Sequence, residues 1–167
     1  MTSMQPEWKR SIRQTLLHIT GLILAFALVP VSAQRWWLGV VVGFLIVVGS
    51  VPLTVKRVKA VSNSTAPYLE AALAILMMAA MVIVGFAAAY FALSKYHQEF
   101  PGLHTKLDAI YFTVTTFATV GYGDLAPAGQ IARAVAIMQM VVDILAIGVA
   151  ARLAMRVAGR EAKAREL

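Results

Sequence analysis

The chain has 167 residues, of which 60% are hydrophobic and 14% charged, with a mean hydropathy of +0.75. So few charges, against roughly 25% in soluble domains, exclude an ordinary soluble domain and point to a chain solvated by lipid. The net charge is +7 and there is no cysteine, so disulfides, thiol catalysis and cysteine-held metal sites are excluded.

Lys9, Arg10 and Arg13 precede a first apolar stretch over residues 16–33. With Val31-Ser32-Ala33 at its end it has the outline of a signal peptide and cleavage site. The apolar run is longer than the usual ~7–15 residues, so a retained membrane span is expected. His18 lies alone in this stretch and reads as a packing residue. Pro30 and Arg35 mark a tight turn, and Trp36 and Trp37 fit an interfacial aromatic belt. A second apolar stretch covers residues 36–55 and ends on Lys56, Arg57 and Lys59.

The polar run from Ser62 to Pro67 reads as a linker and helix start; its Asn63-Ser64-Thr65 glycosylation pattern falls on the side expected to face the cytoplasm. A third stretch covers residues 68–93 and a fourth residues 130–158. Each reaches or approaches the ~20 residues that cross a ~30 Å hydrocarbon core. Between them, residues 107–118 are apolar but too short to span, as in a re-entrant segment, with Asp108 placed as an N-cap or first-turn acid. Met77, Met78, Met81, Met138 and Met140 read as packing or lipid-facing residues. His97 and His104 read as solvated loop residues.

The fold class expected is an all-α membrane protein with four transmembrane helices and a re-entrant helix and loop between the third and fourth. Basic residues fix its orientation. The clusters at 9–13, 56–59 and 152–165 share one side of a four-helix topology, while Arg35, Lys95, Lys106 and Arg133 are spread over the other. Both termini are therefore expected in the cytoplasm of a multi-pass cell-membrane protein. The same placement makes the basicity a topology signal and argues against nucleic acid as a partner.

The most specific feature is Thr119-Val120-Gly121-Tyr122-Gly123-Asp124. Glycines at alternate positions allow backbone angles that a Cβ would resist. With Thr116, three residues before Thr119, and the segment from Asp108 to Phe112, residues 106–158 resemble the pore module of potassium channels: pore helix, selectivity filter and inner helix. A one-pore, four-helix bacterial-type subunit is the nearest description. The resemblance implies a homotetramer, since one strand cannot surround an ion. It also implies potassium as the transported ion, no organic cofactor and no enzymatic activity.

Residue by residue, the resemblance implies ion sites at the carbonyls of Thr119, Val120, Gly121 and Tyr122 and the Thr119 hydroxyl. Gly121 and Gly123 supply backbone freedom. The Tyr122 ring points away from the ion path, and Asp124 sits behind the outer mouth. Tyr111, Phe112, Thr115 and Thr116 are the filter-support candidates. Many relatives hold the acid with a tryptophan; here Tyr111 can offer its hydroxyl to Asp124, while Phe112 has nothing to donate.

In the fourth stretch, Asp143, Ile144, Ile147, Gly148, Ala151 and Met155 are cavity or inner-gate candidates. Asp143 has two readings. Four copies can form an acidic ring by the cavity that binds internal Mg²⁺ or polyamines. Alternatively it makes a structural hydrogen bond, for example to Gln139 one turn earlier. Gly148 is a hinge or a close-packing site.

The expected organisation is a two-helix peripheral hairpin over residues 1–67, a pore domain over 68–158 and a basic tail over 159–167. Arg133 and the cytoplasmic basic clusters are candidate contacts for anionic lipid. No helix carries the regular arginines of a voltage sensor and no ligand-binding domain is recognisable.

Overall fold

In a computed structural model, the structure describes residues 7–28, 33–61, 64, 66–96 and 99–165. The described residues form five α-helices: α1 (Glu7–Leu28), α2 (Trp36–Val61), α3 (Pro67–Leu93), α4 (Lys106–Phe117) and α5 (Gln130–Arg165), with a 3₁₀ turn over Ala33–Arg35 before α2. Trp8–Leu28, Trp36–Lys59, Pro67–Leu93 and Gln130–Gly159 are long and apolar enough to cross a membrane. α4 has 12 residues and is too short to do so.

The helix starts differ from expectation where charges join a helix. Lys9, Arg10 and Arg13 lie on exposed positions within the first turns of α1, and α1 ends at Leu28, so the first span sits upstream of 16–33. Lys56, Arg57 and Lys59 are likewise helical, because α2 continues to Val61. Long basic side chains at helix ends reach polar surroundings while their backbone stays hydrogen-bonded, so they need not end a helix. Pro30, the Val31-Ser32-Ala33 cleavage pattern, Asn63 and His97 lie wholly or partly outside the described residues. His18 is exposed on α1, its Nδ1 2.6 Å from the Gln14 carbonyl, and not in packing.

α3 is the hub, and α1, α2, α4 and α5 all pack on it. Its contact with α2 depends on small residues. A Cβ on Gly43 would overlap the Gly85 carbonyl, and one on Gly39 would overlap the Ala92 Cβ. Gly39 and Gly43 stand one turn apart on α2, so the backbones approach as in small-xxx-small helix pairs. Arg57 of α2 meets Glu70 of α3 at 3.8 Å near the other end of this contact.

The core lies where α3, α4 and α5 meet. Tyr90, Phe100 and Phe112 pack edge to face, with ring centroids 4.7–5.6 Å apart. Phe112 is 8% exposed and Tyr90 fully buried, so the aromatic that cannot donate a hydrogen bond serves to seat α4 on α3.

Candidate functional site

α4 starts on a capping box. Thr105 accepts the Asp108 N–H, and the Asp108 carboxylate accepts the Thr105 N–H at 2.7 Å and the His104 N–H at 2.9 Å. These backbone bonds hold the Asp108 carboxyl below the usual carboxylate range. Lys106, the first residue of α4, donates to the Phe26 and Ala27 carbonyls, each at 2.7 Å, and so caps the C-terminus of α1.

The other end of α4 runs into residues 119–124, and its last carbonyls are used in sequence. Val114 accepts from Ala118 at 2.8 Å and Thr116 from Thr119 at 2.9 Å. Thr115 accepts from both Val120 and Gly121, at 2.9 and 3.3 Å. The Thr115 and Thr116 hydroxyls turn back onto the Phe112 carbonyl. Unpaired carbonyls at a helix end are thus spent on fixing the first residues of the loop.

The loop backbone alternates. Thr119, Gly121 and Gly123 have φ of +57°, +56° and +79°, with no positive φ at Val120 or Tyr122. Glycine adopts such angles freely, but a β-branched threonine there is a strained outlier of about 1–3 kcal/mol. The Thr119 and Val120 N–H bonds to α4 hold it in place.

Residues 119–124 are all exposed on the single subunit, Tyr122 most among its aromatics at 71%. The Tyr122 ring lies parallel to that of Tyr111, centroids 6.3 Å apart, and the Tyr111 hydroxyl donates to Asp124 Oδ2 at 2.8 Å. That bond is the main cause of a raised Tyr111 phenol pKa. Tyr111, Tyr122 and Asp124 therefore stand together, while Phe112 faces the opposite side of α4.

Behind α4 lies a buried polar relay. Tyr90 of α3 donates to Gln139 Oε1 at 2.7 Å. Gln139 Nε2 donates to the Thr113 carbonyl of α4 and to Asp143 Oδ2 of its own helix, each at 3.1 Å. Gln139 is fully buried and Asp143 is 3% exposed. Of the two readings of Asp143, the structure has the hydrogen bond to Gln139. The carboxylate lies inside the subunit, away from the stripe of Ile144, Ile147, Gly148, Ala151 and Met155, all of them exposed. On α5 Asp143 faces the core of the single chain, roughly a quarter turn from the mean direction of that stripe.

Glu99 was not singled out from the sequence. Its Oε2 accepts the Ala132 N–H at 2.8 Å, and its carbonyl accepts the Ala128 and Gly129 N–H groups at 3.1 Å. It caps α5, and Gly129 leaves the space its carboxylate fills. Arg133, exposed on α5, donates through Nε to the Pro127 carbonyl at 3.3 Å. A Glu in the connection between α3 and α4 carries no local signal for a cap 33 positions away, so only the fold reveals it.

The comparisons fall on the same region. A family model described as "Ion channel" matches residues 76–159, from within α3 through residues 119–124 to the end of the α5 span. "Two pore potassium channel b" of Oryza sativa subsp. japonica is 36% identical over 73 residues, 44% of this chain and 20% of that protein, so the match spans about a fifth of the relative's length. No solved structure matches the chain. With half of its length matched by that model, and with four helices among the described residues fit to cross a membrane, the chain belongs to the ion channel family.

Proposed function

We propose that the chain is the subunit of a potassium-selective channel that conducts K⁺ passively through a homotetrameric filter. The observation that carries this reading is the alternating sign of φ along Thr119-Val120-Gly121-Tyr122-Gly123. In an extended strand, successive carbonyls point to opposite sides. Alternating the sign of φ gathers N–H groups on one face, as in anion-binding nests, and turns carbonyls to the other. Each chain then contributes a row of oxygens from Thr119, Val120, Gly121 and Tyr122, with the Thr119 hydroxyl below them. Four rows around one axis replace the hydration shell of a K⁺ ion.

The surroundings fit that task. The C-terminal end of α4, the negative end of its dipole, points into the start of the run and favours a cation there. Tyr111 braces Tyr122 and holds Asp124 at the outer mouth. In this arrangement residues 1–67 form the peripheral hairpin, 68–158 the pore domain and 159–167 the tail. Ile144, Ile147, Gly148, Ala151 and Met155 face the inner pore. Both termini lie in the cytoplasm and the filter in the outer half of the cell membrane. Anionic lipid contacts Arg133 and the cytoplasmic basic clusters.

Purified protein in liposomes tests the reading. A K⁺ gradient should drive a flux that an equal Na⁺ gradient does not. Absence of K⁺ flux across all tested voltages and pH values, or equal passage of both ions, contradicts it.

A further inference from the structure

A deep cleft lies away from residues 119–124. α2 and α5 each pack on α3 but stay apart, leaving a groove of about 860 Å³ between them. Met78 and Val82 of α3 form its buried floor, and Val51, Val55, Leu145 and Val149 its exposed walls. Ser50 also borders it, but its hydroxyl is turned onto the Val47 carbonyl at 2.6 Å. Thr54 borders it as well, and apart from these two hydroxyl residues its lining is apolar until one end.

One end is different. Lys59 of α2 and Arg152 and Arg156 of α5 border the same groove, all three exposed. Among the described residues none of the three has an ion pair, whereas neighbouring Arg57 is met by Glu70. Lys59 stands about 12 Å along α2 from Val51, and Arg156 about 16 Å along α5 from Leu145. Half of a ~30 Å hydrocarbon core is about 15 Å. The cations thus stand at head-group depth when the apolar walls stand in one leaflet.

We propose that this groove is a binding site for one anionic phospholipid, an acyl chain lying between α2 and α5 and the phosphate held by Lys59, Arg152 and Arg156. Charge complementarity selects this occupant. A bilayer supplies anionic head groups at that depth, each basic residue near the surface adding to the attraction. A second copy of the chain would have to bring acids to this end. Among the acids whose side chains are described, Glu99, Asp108 and Asp124 lie at the opposite end of the helices, Glu70 meets Arg57, and Asp143 is buried. Bound there, the lipid joins the peripheral helix α2 to the inner helix α5, which have little direct contact. The proposal rests on α2 and α5 crossing a membrane and is independent of which ion the pore passes.

Native mass spectrometry on the full chain, released from detergent after incubation with phosphatidylglycerol or phosphatidylcholine, tests it. Wild type should retain phosphatidylglycerol preferentially. Lys59→Gln with Arg152→Gln and Arg156→Gln should reduce that retention on the order of a hundredfold. Arg35→Gln, exposed at the opposite end of α2, should leave it unchanged. Val149→Trp, which fills the groove from an exposed position, should reduce retention of both lipids. Wild-type retention by the triple variant, or equal retention of the two lipids by wild type, overturns the proposal. So does a wild type that binds neither lipid while Val149→Trp lowers the oligomeric state, since a second copy then covers the groove. K⁺ flux measured on the same protein reports separately on the channel reading.

Discussion

Helices α3–α5 and helices α1–α2 are built from similarly apolar sequences but are held in place by different forces. Of the span windows, 56% of α3 is buried within the chain, against 22% of α2 and 6% of α1. The first two helices rely on shape, through the glycines that let α2 approach α3, plus the Lys106 ammonium on the last carbonyls of α1. Helices α3–α5 add a polar interior of Tyr90, Gln139, Asp143, the Thr113 carbonyl and the Glu99 cap. Van der Waals contact tolerates sliding and rotation, whereas directed hydrogen bonds in an apolar setting fix one arrangement. Directed bonds are concentrated around α4, where a loop strained at Thr119 has to be held.

Substitutions that separate the two kinds of support sharpen this contrast. Gln139→Leu should have the largest effect on stability. It strips partners from the Tyr90 hydroxyl, the Thr113 carbonyl and Asp143, at a cost of about 2–4 kcal/mol, read as a lowered unfolding temperature in detergent. Ion selectivity should fall with it, because α4 loses its attachment to α5. Gly43→Val comes next. The added methyls meet the Gly85 backbone, and overpacking costs about 1–3 kcal/mol. It should loosen α2 against proteolysis while leaving selectivity intact; loss of selectivity here would erase the distinction between the regions.

Glu99→Ala removes the α5 cap and should cost about 0.5–2 kcal/mol, with faster amide exchange at Ala132. Tyr111→Phe, at an exposed position, should change stability least but shorten the conducting state by freeing Asp124. Its pH dependence has a definite sign. The phenol pKa is raised in the folded state, so the bond is present below its ordinary value of about 10 and is lost only as pH rises above it. Asp108 behaves oppositely. With its pKa lowered in the folded state, its contribution is present above the ordinary carboxylate value and is lost as pH falls below it. Amide exchange at His104 and Thr105 should speed up only on that acidic side.

Local sequence carried much of this arrangement. Apolar runs located four spans, the short run before residue 119 located α4, and alternate glycines marked the run of positive φ at residues 119–123. The pairing of Tyr111 with Asp124 followed from the Tyr111 phenol, a donor that neighbouring Phe112 lacks. Contacts between distant residues were not legible. Tyr90 meets Gln139 across 49 positions and Lys106 reaches α1 across about 80. No periodicity or spacing encodes which buried polar group finds which partner. Asp143 illustrates the point: its depth in a span marked it as costly, but only the packing of α5 on α3 and α4 decided which side it faced. The first helix began early for a related reason, since hydropathy ends a span at charges that a helix simply carries to the interface.

The central claim is that residues 119–123 select the ion. Reversal potentials under K⁺ on one side and Na⁺ on the other, for wild type and Gly121→Ala in the same bilayers, test it most directly. Alanine at φ +56° is strained and should disturb the carbonyl row. Wild type should reverse close to the K⁺ equilibrium potential, and the variant should conduct both ions or none. A Gly121→Ala channel with wild-type K⁺ preference would contradict the account.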